Sequence, residues 1–213
     1  MKHFDLSLYL VTDRSQSQGR PLEYIVKEAA EGGVSMVQLR EKSCTSREFY
    51  RQALSLKACL KPYNIPLIIN DRLDIALACD AEGLHIGQTD LPCDVARRIL
   101  GKEKIIGLSV ESIQDALDAN TLEIDYIGIS PVFSTPTKTD TATELGLTGI
   151  REISTLSRHP GVGIGGIHPG NARAVIQAGA EGISVVSAIM SAAVPRQAAS
   201  QLRDIVYQSK KIK

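Results

Sequence analysis

Arg40, Lys42 and Lys138 belong to short polar groups that follow apolar runs, and their side chains could bind a phosphorylated ligand. An arginine can grip two phosphate oxygens in a fork, whereas a lysine supplies a compact point charge. Three cations that converge on one anion would suit a diphosphate or a phosphate of similar charge. Each residue alone is also typical of a solvated loop, so the prediction depends on their being brought together.

Two carboxylates, Asp71 and Asp90, follow the next two apolar runs along the chain. Hard carboxylate ligands suit Mg²⁺, which keeps several waters and takes further ligands from substrate phosphates. The sequence therefore predicts one Mg²⁺ ion bound by this pair. The plainer alternatives are that Asp71 caps a helix and that Asp90 stabilises a turn.

A second anion site of a different kind is predicted near Gly165-Gly166 and Val186-Ser187, which follow the last two apolar runs. In barrels of alternating strands and helices, backbone N–H groups in these two loops bind a monophosphate. Side-chain cations with a metal at one site, and neutral amides at the other, indicate two phosphorylated ligands. A transferase that joins them and releases diphosphate is the simplest chemistry. We find no Ser-His-Asp arrangement or reactive cysteine that would suggest covalent catalysis.

The elements that must position these residues are eight short apolar runs. Their hydrophobicity is continuous rather than alternating, as in parallel strands buried on both faces. The predicted strands are residues 8–11, 34–39, 67–69, 83–86, 105–108, 126–129, 162–164 and 182–186.

Helical segments with apolar residues at 3.6-residue spacing separate these runs. The predicted helices are residues 22–31, 46–60, 74–79, 94–100, 112–119, 147–156, 171–178 and 195–207. No linker divides the chain, and closing one sheet removes the exposed edges that two smaller sheets would have. We therefore predict a single (β/α)₈ barrel domain over residues 1–213, with a doubly wound open sheet as the alternative. The polar groups would all lie at the carboxyl ends of the strands.

The composition excludes several classes of function. The 213 residues contain 24 Lys and Arg against 24 Asp and Glu, so no basic excess indicates a nucleic acid or an anionic membrane as partner. No apolar run approaches the length of a membrane span, and the N-terminus does not resemble a signal peptide. The four cysteines form no CxxC pair, which favours reduced thiols in a cytoplasmic protein.

Motifs along the whole chain resemble those of the thiamine-phosphate synthases. In order they are YLVTDR (9–14), VQLREK (37–42), INDR (69–72), HIGQTDLP (85–92), IGLS (106–109), SPVFSTPTK (130–138), GIGGI (163–167) and VVSAI (185–189). One such motif would be weak, but eight in order at barrel spacing are specific. The resemblance implies a transferase that condenses hydroxymethylpyrimidine diphosphate with hydroxyethylthiazole phosphate. Thiamine phosphate forms and diphosphate, assisted by Mg²⁺, leaves first in a dissociative step.

The resemblance also implies roles for individual residues. It implies catalytic roles for Arg40, Lys42, Ser109 and Lys138. It also implies that Asp71 and Asp90 bind the Mg²⁺ ion. The pyrimidine diphosphate would contact Gln38, Leu39, Arg40, Glu41, Lys42, Asn70, Ser109 and Lys138. The thiazole phosphate would contact Thr135, Pro136, Thr137, Gly166, Val186 and Ser187. His85, inside an apolar strand, is expected to be a packed, hydrogen-bonded residue rather than a base.

Two departures from the family pattern affect loops without an assigned role. Ser43-Cys44 stands where an acidic residue is common after the lysine, and Thr143-Glu144 stands where prolines are common. The alternatives are a thiazole tautomerase, a non-catalytic thiazole-phosphate or thiamine-phosphate binding protein, and a sugar-phosphate isomerase or epimerase. None of these needs the cations and both carboxylates together. A homodimer is the default assembly for a small enzyme of this kind.

Overall fold

Eight parallel strands pair in sequence order and close into a barrel. The strands are β1 (Leu8–Val11), β2 (Met36–Leu39), β3 (Leu67–Asn70), β4 (Gly83–Ile86), β5 (Ile105–Val110), β6 (Tyr126–Ile129), β7 (Gly161–Ile164) and β8 (Gly182–Val185). Leu10 of β1 lies opposite Val37 of β2 on one side and opposite Val185 of β8 on the other. The closed sheet confirms the barrel prediction and excludes the open doubly wound sheet.

A computed structural model describes residues 4–134 and 143–211 of this chain. Nine α-helices lie within these ranges. They are α1 (Leu22–Glu31), α2 (Ser46–Leu60), α3 (Leu73–Ala78), α4 (Cys93–Leu100), α5 (Ile113–Ala119), α6 (Gly146–Leu156), α7 (Ala172–Gln177), α8 (Ser187–Met190) and α9 (Pro195–Lys210). None of them combines the length and the apolar composition that a membrane crossing requires.

Local sequence signals account for the helix ends. Thr45 and Glu48 form a reciprocal capping box at the start of α2, as the sequence predicts. Ser112 accepts a bond from the backbone N–H of Asp115 and so begins α5 one residue later than predicted. Pro195 occupies the first turn of α9, where its missing N–H costs nothing.

The apolar core has two parts. The larger part lies between the strands and the helices and contains outward strand residues such as Leu10, Leu39 and Ile86. The smaller part fills the inside of the barrel and includes Tyr9 and Tyr126. All four cysteines are free thiols, as expected.

The predicted elements differ from the structure mainly at their ends. Strand β2 begins at Met36 rather than at residue 34, and β5 extends to Val110 rather than ending at residue 108. The prediction omitted α8, because its four residues are too few to show helical periodicity.

Candidate active site

A cavity of about 370 Å³ opens at the carboxyl ends of the strands, which is the functional end of this fold. Its size is in the range of small-molecule sites. Every strand and several of the following loops contribute to its wall. The lining residues are Tyr9, Val11, Gln38, Arg40, Lys42, Asn70, Asp71, His85, Gly87, Gln88, Thr89, Asp90, Ser109, Glu111, Gly128, Ser130, Val162, Ile164, Gly165, Gly166, Ile167, Ser184, Val185, Val186 and Ser187.

One side of the cavity carries the two cations of the β2 loop. The Arg40 side chain is about one-fifth exposed, and its Nη1 lies 3.7 Å from the Asp13 carboxylate. Lys42 is more exposed, and its Nζ donates to Asp71 Oδ2 at 2.8 Å. The two cations are thus balanced by carboxylates from the β1 and β3 loops. An anionic ligand would compete for both cations.

Asp71 and Asp90 meet on the same side. Burial raises the pKa of Asp90 above its ordinary value, and the neighbouring Asp71 carboxylate raises it further. Asp90 also accepts a 2.7 Å bond from the backbone N–H of Gly87, so its expected turn role is present as well. Asp71 lies in the left-handed region with φ of 61° and does not cap α3, which has no side-chain cap.

Two adjacent carboxylates repel each other, and a divalent cation between them would remove that cost. In residues 4–134 and 143–211, no group of three or more His, Cys, Asp or Glu side chains is arranged to hold a metal. Mg²⁺ does not need such a group, because one or two carboxylates with substrate phosphates and waters complete its shell. Asp71 and Asp90 therefore fit Mg²⁺.

The opposite side of the cavity is formed by backbone rather than by charge. Gly165 and Gly166 follow β7 with φ of 107° and 61°. A Cβ on Gly166 would lie 2.6 Å from the Ser134 carbonyl oxygen, so only glycine fits there. Beside them, Val186 and Ser187 begin α8 after β8. These loops provide the neutral N–H groups that a monophosphate requires.

A chain of hydrogen bonds crosses the inside of the barrel beneath the cavity. Gln38 Nε2 donates to the Tyr9 hydroxyl at 2.8 Å, and the hydroxyls of Tyr9 and Tyr126 are 2.9 Å apart. The Tyr126 hydroxyl lies 2.9 Å from His85 Nδ1, and His85 Nε2 lies 3.0 Å from Ser109 Oγ. The expectation that His85 is packed and hydrogen-bonded is confirmed.

The structure brings most of the predicted site residues to this cavity. Those that line it are Gln38, Arg40, Lys42, Asn70, Asp71, Asp90, Ser109, Gly166, Val186 and Ser187. The Leu39 side chain instead lies in the outer core, so any substrate contact of Leu39 has to use its main chain. Glu41 pairs with Arg14 at 3.4 Å and does not line the cavity. Thr135, Pro136, Thr137 and Lys138 lie outside the described residues.

The sequence does not predict a role in the cavity for several lining residues, among them Tyr9, Gln88, Glu111 and Ser184. Strand alternation could have found two of them, because Tyr9 and Ser184 occupy inward positions of neighbouring strands and are directly paired.

Comparisons with known proteins agree with this geometry. The family described as "Thiamine monophosphate synthase" matches residues 8–189. A thiamine-phosphate synthase of Albidiferax ferrireducens is 52% identical over 201 residues, covering 94% of this chain and 92% of the relative. One from Syntrophomonas wolfei subsp. wolfei is 52% identical over 205 residues, covering 96% and 98%.

Solved structures give the same result at the level of the backbone. A thiamine phosphate pyrophosphorylase from Pyrococcus furiosus superposes with a TM-score of 0.87 at 39% identity, covering 96% of each chain. A 3-hexulose-6-phosphate synthase superposes with a TM-score of 0.66 at 16% identity, covering 93% of this chain and 99% of that one. That second similarity shows the barrel fold alone.

Proposed function

The chain belongs to the thiamine monophosphate synthase family, and from this premise we propose that its cavity joins two phosphorylated precursors. Hydroxymethylpyrimidine diphosphate and hydroxyethylthiazole phosphate condense to thiamine phosphate, and diphosphate is released. The protein is then a transferase of a pyrimidinylmethyl group. The observation that carries the proposal is the division of one cavity into a cationic, carboxylate-containing side and a neutral amide side.

The cationic side suits the diphosphate of the pyrimidine substrate. Arg40 and Lys42 line this side and would bind phosphate oxygens. Lys138, which follows β6 in the sequence, is assigned to the same diphosphate by the family resemblance. Both described cations now face carboxylates at 3.7 and 2.8 Å, so they are held near the anion site in the absence of substrate. Cations fixed in this way stabilise negative charge as it develops on a departing diphosphate.

Asp71 and Asp90 would hold one Mg²⁺ ion on this side. When bound, the ion would neutralise diphosphate charge as a Lewis acid. The two carboxylates provide the anionic ligands, and Lys42 contacts one of them directly. Diphosphate binding would therefore draw Lys42 from Asp71 to the phosphate and leave the carboxylate for the metal.

The amide side suits the monophosphate of the thiazole substrate. Gly166, Val186 and Ser187 would bind its oxygens through backbone N–H groups and the Ser187 hydroxyl. The open backbone at Gly165 and Gly166 lets an anion approach the main chain closely. Thr135, Pro136 and Thr137 are assigned to the same ligand.

The reaction between these two sites is a substitution at the methylene carbon of the pyrimidine. Its bond to the diphosphate oxygen breaks first, and the electron pair leaves with diphosphate. The thiazole nitrogen then donates its lone pair to the resulting cation, so no proton has to move between the substrates. Asn70 and Ser109 line the same cavity, where they would hold the pyrimidine, with Ser109 near the reacting carbon.

The three alternative functions fit the cavity less well. A thiazole tautomerase or a thiazole-phosphate binding protein requires only the amide side and leaves Arg40, Lys42 and the two carboxylates unexplained. A sugar-phosphate isomerase or epimerase requires a general base at a strand end. Glu41, which follows β2, pairs with Arg14 and does not line the cavity, and an enzyme that uses Glu111 as the base would still leave the cations Arg40 and Lys42 unexplained.

A direct test is to measure diphosphate release by the purified protein with both substrates and Mg²⁺. We expect release only when both substrates and the metal are present, with an equal amount of thiamine phosphate formed. EDTA and each substrate alone are the controls. Saturable binding of thiazole phosphate without any diphosphate release would overturn the synthase proposal in favour of a tautomerase or a binding protein.

The metal proposal is tested by Asp71→Asn, which keeps the shape of the side chain but removes its charge. We expect the Mg²⁺-dependent rate to fall by about 100-fold or more, because a carboxylate ligand is lost. Asp74→Asn is the matched control, since Asp74 lies on α3, pairs with Arg72 and does not line the cavity. An unchanged Mg²⁺ titration in Asp71→Asn would exclude Asp71 as a ligand.

A cytoplasmic location and a homodimeric assembly complete the proposal. The four free thiols are compatible with a reducing compartment. Light scattering of the purified protein would test the assembly, and fractionation of the source cells would test the location.

A further inference from the structure

We propose that Tyr9, Tyr126 and His85 are positioning residues that make Ser109 a hydrogen-bond donor toward the pyrimidine substrate. The proposal rests on the proposed function for the identity of that substrate. Its basis is the series of hydrogen bonds inside the barrel that links Gln38 to Ser109, both of which line the cavity. The direction in which the groups of this chain donate decides whether Ser109 offers a hydrogen or a lone pair to the cavity.

The direction follows from counting hydrogens along the chain. The Gln38 amide donates to the Tyr9 oxygen, so the single hydroxyl hydrogen of Tyr9 is left for the Tyr126 oxygen. Tyr126 in turn donates its hydrogen to His85 Nδ1 at 2.9 Å. A neutral imidazole that accepts at Nδ1 carries its proton on Nε2.

The last link sets the state of Ser109. His85 Nε2–H donates to Ser109 Oγ at 3.0 Å. The hydroxyl hydrogen of Ser109 is then not needed by the chain and can turn to the cavity. Ser109 is thereby fixed as a donor, and it selects a ligand with an acceptor atom, such as a ring nitrogen or an ester oxygen, at that point.

The surroundings keep the chain intact. Tyr9 is 1% exposed and Tyr126 is fully buried, and burial raises the pKa of both phenols, so each keeps its one hydrogen. Glycines make room for two of the rings. A Cβ on Gly107 would lie 2.1 Å from Tyr126 Cζ, and one on Gly128 would lie 3.2 Å from His85 Cε1.

The tautomer of His85 tests the direction without any substrate. Long-range ¹H–¹⁵N spectra at about pH 8, above the ordinary pKa of histidine, distinguish the two neutral forms. A His85→Gln variant assigns the signals. We expect the Nε2–H form, whereas an Nδ1–H form would mean that the chain runs the other way and would overturn the inference. This result is independent of synthase activity, whose absence would overturn the proposed function instead.

Tyr126→Phe interrupts the series of hydrogen bonds but keeps the aromatic ring. We expect the preference of His85 for the Nε2–H form to weaken, because Nδ1 loses the hydroxyl donor that fixes it as an acceptor. We also expect kcat to fall by about three- to tenfold, the effect of one hydrogen bond. Tyr24→Phe, which removes an exposed hydroxyl on α1, is the matched control and should leave kcat unchanged.

A double-mutant cycle separates positioning through Ser109 from general loss of packing. If Tyr126 acts through Ser109, Tyr126→Phe should lower kcat much less in a Ser109→Ala background than in the natural chain. Equal factors in both backgrounds would contradict the proposal.

Discussion

Arg40 and Lys42 belong to one loop, yet the protein holds them differently. The Arg40 backbone N–H donates to Thr12 Oγ1 at 3.2 Å, and its guanidinium is mostly buried beside Asp13. The Lys42 side chain is 58% exposed and pairs with Asp71. Arg40 is thus the more preorganised of the two cations that we propose to bind the diphosphate.

Arg40→Ala should therefore weaken one substrate and not the other. We expect KM for the pyrimidine diphosphate to rise by about 10- to 100-fold, because charged hydrogen bonds to phosphate are lost, while KM for the thiazole phosphate stays the same. Arg14→Ala is the matched control, since exposed Arg14 pairs with Glu41 and does not line the cavity. Equal rises in both KM values would contradict the division of the cavity into two sides.

At the scale of residues, the sequence predicts charged site residues better than buried polar ones. Arg40, Lys42, Asp71 and Asp90 are conspicuous because they follow apolar runs, and the barrel brings them together. Tyr9 and Tyr126 are not conspicuous, because tyrosine is ordinary in a strand. Their connection depends on which strand residues face inward and on distances across the barrel, which spacing along the chain does not contain.

At the scale of elements, α8 depends on contacts that are remote in sequence. Its four residues end at Met190, whose carbonyl oxygen accepts a 2.6 Å bond from Arg20 Nη2. Arg20 Nη1 donates to the Ala192 carbonyl at 2.7 Å. A cation at the C-terminus of a helix stabilises its unpaired carbonyls. The loop after β1 thus holds the helix whose first residues line the amide side of the cavity.

Arg20→Met tests this support. The variant removes the bonds to the carbonyl of Met190, the last residue of α8, and to the carbonyl of Ala192 just beyond it, but keeps much of the apolar stem. We expect KM for the thiazole phosphate to rise by about tenfold, with a smaller change for the pyrimidine diphosphate, because the phosphate-binding amides lose their support. Arg196→Met removes an exposed arginine that pairs with Glu31 on the outside of the barrel. If the two variants raise KM equally, α8 does not depend on Arg20.

The sequence predicts both ends of α1 and α2 correctly, whereas α9 extends to Lys210, three residues beyond its predicted end, and α8 is not predicted. The bounds of α1 and α2 agree with the prediction, because apolar periodicity and the capping box define them locally. Helix α8 is defined by bonds from Arg20, which lies 170 residues away in sequence. No local pattern in the sequence contains that information.

At the scale of the whole molecule, the two ends of the barrel have different roles. The carboxyl ends of the strands carry the cavity, and the amino ends carry structural contacts. Arg97 on α4 makes several of these contacts at the amino end. It donates to the carbonyl oxygens of Gly101, Lys104 and Glu123, and Nη2 donates to the Asp125 carboxylate at 2.7 Å. These contacts tie α4 to the starts of β5 and β6.

This separation predicts a variant that affects stability but not catalysis. Arg97 is 8% exposed, so Arg97→Met removes a buried guanidinium that donates to three carbonyls and to the Asp125 carboxylate. We expect the free energy of unfolding in urea to fall by about 3 kcal/mol, the usual cost of removing one partner of a buried ion pair. The KM values of the folded enzyme should not change, because Arg97 does not line the cavity.

The control for this last variant lies next to it on the same helix. Arg98 is exposed, so Arg98→Met makes the same chemical change without a buried network and should alter the unfolding free energy by less than about 0.5 kcal/mol. A similar loss of stability in both variants would mean that the network around Arg97 adds nothing beyond surface charge. A change in KM with Arg97→Met alone would instead show that the amino end of the barrel influences the geometry of the catalytic end.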